Sequence, residues 1–318
     1  MIQKRYWLGL LQVISALLGA TAVWSADAPQ HIRFAYASRS NIVTPKHIAV
    51  SKGFFKAEGL EVELIQINPR LSATALINGD IHYADAFTST FRGMMQGFPI
   101  KLVLVHQKKA PYFLIARPEI KDIQQLKGKR LGVATLRGSD HLIADELMQA
   151  KNFNPNGVQP IVIGDASMRY QAMIGGIIDV VAVATPQDLM LRQKGFTVLG
   201  GPPEVSVPGS GVFTSEKFLR ENPLAVRKTI RALLRAHAFI LDNKQETVQA
   251  MMQWLPQSLE VANHSYDLEM KILVRDGLMS DAEIDVLIGK LGEKKRPMDE
   301  IRDFTLARQV YKELETSK

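Results

Sequence analysis

Four short stretches of the sequence gather side chains suited to holding a small polar molecule: Ser38-Arg39-Ser40-Asn41, Thr88-Ser89, Arg137-Gly138-Ser139-Asp140 and Thr185. Hydroxyls both donate and accept, and a guanidinium takes a carboxylate, sulfonate or phosphate with two parallel bonds. Arg39 and Arg137 are therefore the candidate anion grips, and Ser38, Asn41, Thr88, Ser89, Gly138, Ser139 and Thr185 the candidate hydrogen-bonding partners. Asp140 argues the other way, since a carboxylate in the same place repels an anion and would instead cap a helix or hold an amine. Any one of these hydroxyls is equally an ordinary helix cap; the ligand reading rests on their falling together.

Catalytic signatures are missing. The seven histidines, at 31, 47, 82, 106, 141, 237 and 264, form no helical metal-ligand pair, and no nucleophile elbow, phosphate loop or dinucleotide fingerprint occurs. Cysteine is absent, which removes disulfides, thiolate metal sites, cysteine nucleophiles and cysteine-linked lipid. The expectation is a binding protein with no cofactor and no metal. The enzymatic alternative would use Asp140 with His141 as acid and base.

The elements that must position these residues show an internal near-repeat at an offset of about 97 residues. Ala75 to Ile81 aligns with Ala172 to Ile178, Gly97-Phe98 with Gly195-Phe196, and Phe34 to Ser38 with Leu131 to Thr135. Duplication and convergent patterning both account for it. Each copy reads as strands alternating with short helices. The first has strands at 31–37, 60–67, 82–86 and 100–106 with helices at 45–56, 71–78 and 88–96; the second has strands at 130–135, 158–163, 179–184 and 197–199 with helices at 139–151, 167–175 and 185–194. Such alternation predicts parallel sheets with right-handed crossovers, hence two doubly wound α/β lobes joined by a hinge. In open sheets of this kind a ligand sits beyond the carboxyl ends of the strands, where the four stretches fall.

Punctuating residues place the crossings between lobes at Lys108 to Pro111 and at Gly200 to Pro203. Residues 26–110 with 204–318 then form the first lobe and a helical C-terminal tail, and residues 111–203 form the second. The tail predicts a helix over 224–254, with Val226, Ile230, Leu233, Leu234, His237 and Leu241 on its apolar stripe, and a capping box at Ser280 to Glu283.

Residues 1–25 have the three-part plan of a cleaved secretory signal: Lys4 and Arg5, an apolar run, then small residues with acceptable cleavage after Ala22 or after Ser25, of which Ser25 is taken. Its removal would lower the formal charge from +7 to +5. That excess is spread along the chain rather than gathered into an arm, so no nucleic-acid partner is expected. With 46% hydrophobic and 22% charged residues, neither a disordered chain nor a polytopic membrane protein fits.

The chain resembles the periplasmic solute-binding proteins of ABC importers for nitrate, sulfonates and taurine, together with the related thiamine-precursor binding proteins. The resemblance is carried by Ile48 to Val62 (IAVSKGFFKAEGLEV), Ala75 to Ala84 (ALINGDIHYA), Leu126 to Val133 (LKGKRLGV) and Gly176 to Asp179 (GIID). It implies a type II periplasmic binding protein-like fold and a monomeric receptor. That receptor closes on one small molecule and delivers it to ABC permease transmembrane subunits; the leader, with no cysteine to take a lipid, predicts a protein free in the periplasm rather than lipid-anchored. It carries over ligand contact to Ser38, Thr88, Ser89, Gly138, Ser139 and Thr185. Among the family's relatives, pyrimidine synthases use a cysteine-rich motif that has no counterpart here. An organic anion such as a sulfonate or carboxylate is the expected solute, ahead of nitrate; a ligand sensor on the same scaffold is the remaining alternative.

Overall fold

The structure, a computed structural model, describes residues 29–317; the signal segment expected over 1–25 lies outside the described residues. Strands β1 (Gln30–Tyr36), β2 (Leu60–Gln66), β3 (Tyr83–Ala84), β4 (Ile100–Gln107), β5 (Phe113–Ala116), β6 (Arg130–Val133), β7 (Gln159–Val162), β8 (Val180–Val183), β9 (Thr197–Gly200) and β10 (Ser210–Ser215) form two sheets. The first has the order β2-β1-β3-β10-β4 and the second β7-β6-β8-β5-β9. All eight strands expected from the sequence form, within two residues of the expected bounds.

The sheets are mixed rather than parallel throughout. β10 runs antiparallel to β3 and β4, and β5 antiparallel to β8 and β9. These are the two strands that follow a crossing between sheets. Each enters from the hinge with no α-helix before it, so it lacks the βα unit that makes a strand parallel. The crossings lie side by side, Ala110 N–H donating to Val207 O (2.8 Å) and Gly209 N–H to Gln107 O (3.1 Å). β8, in the middle of its sheet, is apolar and buried at every position because helices cover both faces; β4, at the edge of the other sheet, is buried at all but Lys101 and ends in the buried polar pair His106 and Gln107.

The two copies of the repeat agree at the level of single hydrogen bonds. Arg33 donates its N–H to His82 Nδ1 (2.9 Å) and its guanidinium to Gly79 O (2.8 Å). Arg130 does the same with Asp179 Oδ2 (2.9 Å) and Gly176 O (2.8 Å). Gly79 (φ 77°) and Gly176 (φ 69°) both sit in the left-handed region just past a helix, Ser72–Asn78 and Ala166–Ile174, where a side chain would be strained.

Two expected helices are divided. The one over 45–56 breaks at Gly53 (φ 70°) into Thr44–Ser51 and Phe54–Ala57. The tail helix breaks at Asn243 into Pro223–Asp242 and Lys244–Trp254. Pro223–Asp242 buries Val226, Ile230, Leu233, Leu234 and His237 against the first lobe, with Arg227 and Arg231 paired to Glu313 on its other side. Leu259–Glu269 and Asp281–Leu291 complete the tail region beside the final helix Thr305–Thr316; the Ser280 capping box forms as expected, Ser280 N–H donating to Glu283 Oε2 (2.7 Å). Although it packs on the first lobe, the tail also touches the second, through His264 to Asp188 (2.9 Å) and Lys290 to Glu146.

Candidate functional site

The carboxyl ends of β1 and β6 face one another, and a cavity of about 70 Å³ lies between them. Ser38, Ser40 and Ser89 line it from the first lobe, Thr135 and Ser139 from the second, and Tyr112 from the crossing. Three charged groups complete the wall: Asp85, Asp140 and Arg169.

Each carboxylate is tied to a buried cation. Asp140 Oδ2 accepts the Ala134 N–H (2.6 Å) and bonds the guanidinium of Arg169, which is 2% exposed. Asp85 Oδ1 accepts the Ala37 N–H (3.1 Å), and Asp85 Oδ2 meets Lys46 Nζ at 2.8 Å; Lys46 is completely buried and also donates to Ser210 Oγ (3.1 Å). The four charges sum to zero, so the cleft carries strong donors and acceptors without net charge. Arg169 Nε has no partner within the protein. Burial pushes the neighbouring Tyr112 hydroxyl up to about 12, so it remains a donor at any physiological pH.

The lobes are held closed by bonds that cross the cleft. Ser38 Oγ accepts the N–H of Ala166 (2.9 Å), the first residue of the helix Ala166–Ile174. Ser139 Oγ donates to Thr88 Oγ1 (2.7 Å), Arg92 donates to the Arg137 carbonyl, and Asn41 N–H donates to Thr185 O (3.0 Å).

Of the residues expected from the sequence, Ser38, Ser89, Ser139 and Asp140 line the cavity. Thr88 stands behind Ser139 as its bonding partner. Gly138 precedes the helix Ser139–Ala150, where a Cβ would meet Thr135 Oγ1 at 2.3 Å. Asn41 pairs its amide with that of Gln257 (3.1 and 3.2 Å). Thr185 is buried beside Glu269, away from the cavity wall. Neither expected arginine lines the cavity: the Arg39 guanidinium lies 5.2 Å over the Trp254 ring and donates to Trp254 O, and Arg137 is exposed, its N–H held by His141 Nδ1 (3.0 Å). His141 is turned to Arg137 and Asp145, so it does not assemble with Asp140 into an acid–base pair.

The guanidinium at the cleft is Arg169, which no sequence motif marks, and none marks Lys46, Asp85 or Tyr112. A signal existed for Arg169: with Ala166, Ala172 and Met173 it occupies the buried stripe of its helix, where an arginine needs a partner. Behind the cleft a second polar cluster joins the hinge to the tail. Gln107 donates to Glu269, whose carboxyl burial pushes up to about 8, and His106 Nδ1 meets His237 Nε2 at 2.7 Å, burial lowering both rings, His237 to about 4. Among the described residues no cluster of histidine, aspartate and glutamate is arranged to hold a metal, and no helix is long and apolar enough to cross a membrane.

Two mixed sheets, each crossed by one antiparallel strand and closing on a polar cleft, define the periplasmic binding protein fold. The chain belongs to the NMT1/THI5 like family, whose description matches residues 41–247. It is 25% identical over 258 residues to the riboflavin-binding protein RibY of Chloroflexus aurantiacus, covering 75% of this chain and 72% of that protein. It is 24% identical over 240 residues to the 4-amino-5-hydroxymethyl-2-methylpyrimidine phosphate synthase THI13 of Saccharomyces cerevisiae, covering 67% of this chain and 69% of that protein. Among solved structures, the periplasmic aliphatic sulphonate binding protein SsuA of Escherichia coli superposes with a TM-score of 0.70 at 16% identity, covering 87% of this chain and 93% of that one.

Proposed function

We propose that this protein is the solute receptor of an ABC importer: a monomer, exported by its leader into the periplasm, that closes residues 26–110 with 204–318 onto residues 111–203 around one small organic solute and presents it to the permease. The observation that carries this reading is Arg169, a buried guanidinium with an unpartnered Nε at a cavity between lobes bridged by hydroxyl bonds. An anionic head, sulfonate or carboxylate, finds in Arg169 Nε and the Tyr112 hydroxyl the donors it needs. Ser38, Ser89, Ser139 and Asp140 complete the contact set. Asp85 and Asp140 accept only, so a solute that also carries an N–H or O–H satisfies both kinds of wall group. Likeness to a sulphonate binding protein supports the receptor reading.

Native mass spectrometry of freshly purified protein, followed by thermal unfolding with sulfonates, carboxylates, amines and pyrimidines, tests it. A true solute at a hundredfold excess over Kd adds about 2.7 kcal/mol of stability. No retained compound and no shift across the panel would overturn the receptor reading. The likeness to a synthase gives a second reading, an exported enzyme. Turnover of the bound compound, rather than its recovery intact, separates the two.

A further inference from the structure

The crossings between the lobes border two separate spaces. Tyr112 and Gly209 line the cleft cavity, whereas Lys108, Lys109 and Ser206 line a chamber of about 460 Å³, open to solvent, that shares no residue with it. The rest of that chamber's wall comes from the tail, from Lys271 to Val274 and from the helix Asp281–Leu291. Both walls are anchored to the end of β4: Val274 N–H donates to His106 O (2.8 Å), and Lys108 and Lys109 lie between the crossing bonds made by Gln107 and Ala110. The walls are therefore set by the fold, and they enclose a space within the roughly 300–1,000 Å³ common for small-molecule sites.

Its charged side chains are Lys108, Lys109, Lys271 and Glu283, an excess of two positive charges. Glu283 is already committed, Oε2 accepting from the Ser280 N–H and hydroxyl (2.7 Å each) and Oε1 meeting Lys108 Nζ at 3.3 Å. Ser206 gives both its N–H (3.0 Å) and its hydroxyl (2.6 Å) to Glu146. Among the described residues the ammoniums of Lys109 and Lys271 have no hydrogen-bond or ion-pair partner. They come from different walls, one from the crossing and one from the tail. Two like charges at one chamber repel until an anion lies between them, and an anion with two negative charges answers both. Beside them Ile272, Leu273 and Val286, the last 54% exposed, offer carbon surface that a bare inorganic ion would leave uncovered.

We propose that this chamber at the hinge is a second binding site, separate from the cleft, for a small organic dianion, a dicarboxylate or a phosphate monoester, gripped between Lys109 and Lys271. Pyridoxal 5′-phosphate probes it, because its aldehyde marks one lysine while its phosphate is held by the other. The aldehyde condenses with a free lysine amine, releasing water, and borohydride then reduces the imine to a secondary amine that peptide mass mapping locates.

Lys109 and Lys271 are expected to be labelled well ahead of Lys194 and Lys217, which are also exposed and without a partner among the described residues. Lys109→Gln is expected to slow labelling of Lys271 about tenfold, the worth of one charge-assisted bond, and Lys271→Gln to do the same to Lys109. Lys109→Arg keeps the charge but forms no imine, so labelling of Lys271 should return. Glutarate or phenyl phosphate should protect both lysines where butyrate, a monoanion, does not; the better protector identifies the class of dianion. Labelling no faster than at Lys194 and Lys217, labelling of each lysine that ignores loss of the other, or protection by neither dianion would overturn the site. A protein that binds nothing in the solute panel yet shows this linked labelling would overturn the receptor reading and leave the hinge site standing.

Discussion

Asp85 and Asp140 hold equivalent stations on the two sides of the cleft: each accepts the backbone N–H that follows the first strand of its repeat, at Ala37 or Ala134, and each is paired with a buried cation, Lys46 or Arg169. The sequence does not place them equivalently, since Asp85 follows β3 whereas Asp140 lies in the first turn of the helix after β6. One electrostatic arrangement is thus reached from two positions in the repeat. Its consequence is a cleft whose walls are rigid and charged but neutral in sum.

Breaking either pair should cost far more than a surface ion pair does. Arg169→Met leaves Asp140 buried with only the Ala134 amide, and Asp140→Asn leaves a buried guanidinium uncompensated. Each is expected to destabilise by about 3–5 kcal/mol in urea unfolding. The double variant Asp140→Leu with Arg169→Met should lose much less than the sum of the singles, because no charge is stranded. Additive losses would mean that the two groups do not depend on one another.

The bonds across the cleft should tune closure rather than folding. Ser139→Ala with Thr88→Val removes the Ser139 to Thr88 bond without stranding either partner. Loss of one such bond is worth about 0.5–1.5 kcal/mol, so solute affinity should fall about two- to tenfold while the melting temperature of the empty protein changes little. Small-angle scattering of the empty variant should show a larger radius of gyration than wild type. An unchanged affinity would indicate that this bond does not report on the closed state.

Much of the architecture was legible because it is periodic. The alignment of Ala75 with Ala172 extends to shared backbone bonds, Ile81 N–H to Ala75 O and Ile178 N–H to Ala172 O. β5 and β10 were not legible: Phe113–Ala116 and Ser210–Ser215 are short apolar pieces beside the crossings, outside the alternation of strand and helix that revealed the rest. At the cleft, the rim serines fell where strand ends predicted them, whereas Lys46, Asp85, Tyr112 and Arg169 are brought together only by packing of distant segments. Arg39 and Arg137 had the right chemistry and the right neighbourhood in sequence, but the side chain of the first turns to Trp254 and that of the second to solvent.

That difference among the arginines is directly measurable. With an alkanesulfonate or alkanecarboxylate from the binding panel, Arg39→Ala and Arg137→Ala are expected to leave affinity within about threefold of wild type, as surface groups outside the cavity should. Arg169→Lys keeps a charge for Asp140 but removes the planar fork, and should weaken the same ligand by about tenfold or more. A large loss at Arg39 or Arg137, with none at Arg169, would move the anion site out of the cavity.

The buried Glu269 gives the protein a pH dependence of defined sign. Burial raises its carboxyl from 4.5 to about 8, against the opposing pull of the Gln107 amide, the Lys46 charge and the Thr185 hydroxyl. Between those two values the folded protein keeps a proton that the unfolded chain has released. The unfolded state therefore binds fewer protons, and stability falls as pH rises through this window. The contribution is whole below about 4.5 and lost above about 8. His106 and His237 act oppositely: burial keeps both neutral in the fold, His237 down to about 4, so they withdraw stability as pH drops below the ordinary histidine range. Subtracting the curve of Glu269→Gln, which keeps the Gln107 contact but cannot ionise, isolates the carboxyl. Urea unfolding of the two proteins from pH 4.5 to 8.5 should show wild type losing ground steadily to the variant as pH rises. Parallel curves would mean that Glu269 ionises in the fold, with Lys46 or water supplying the compensation that its burial otherwise denies.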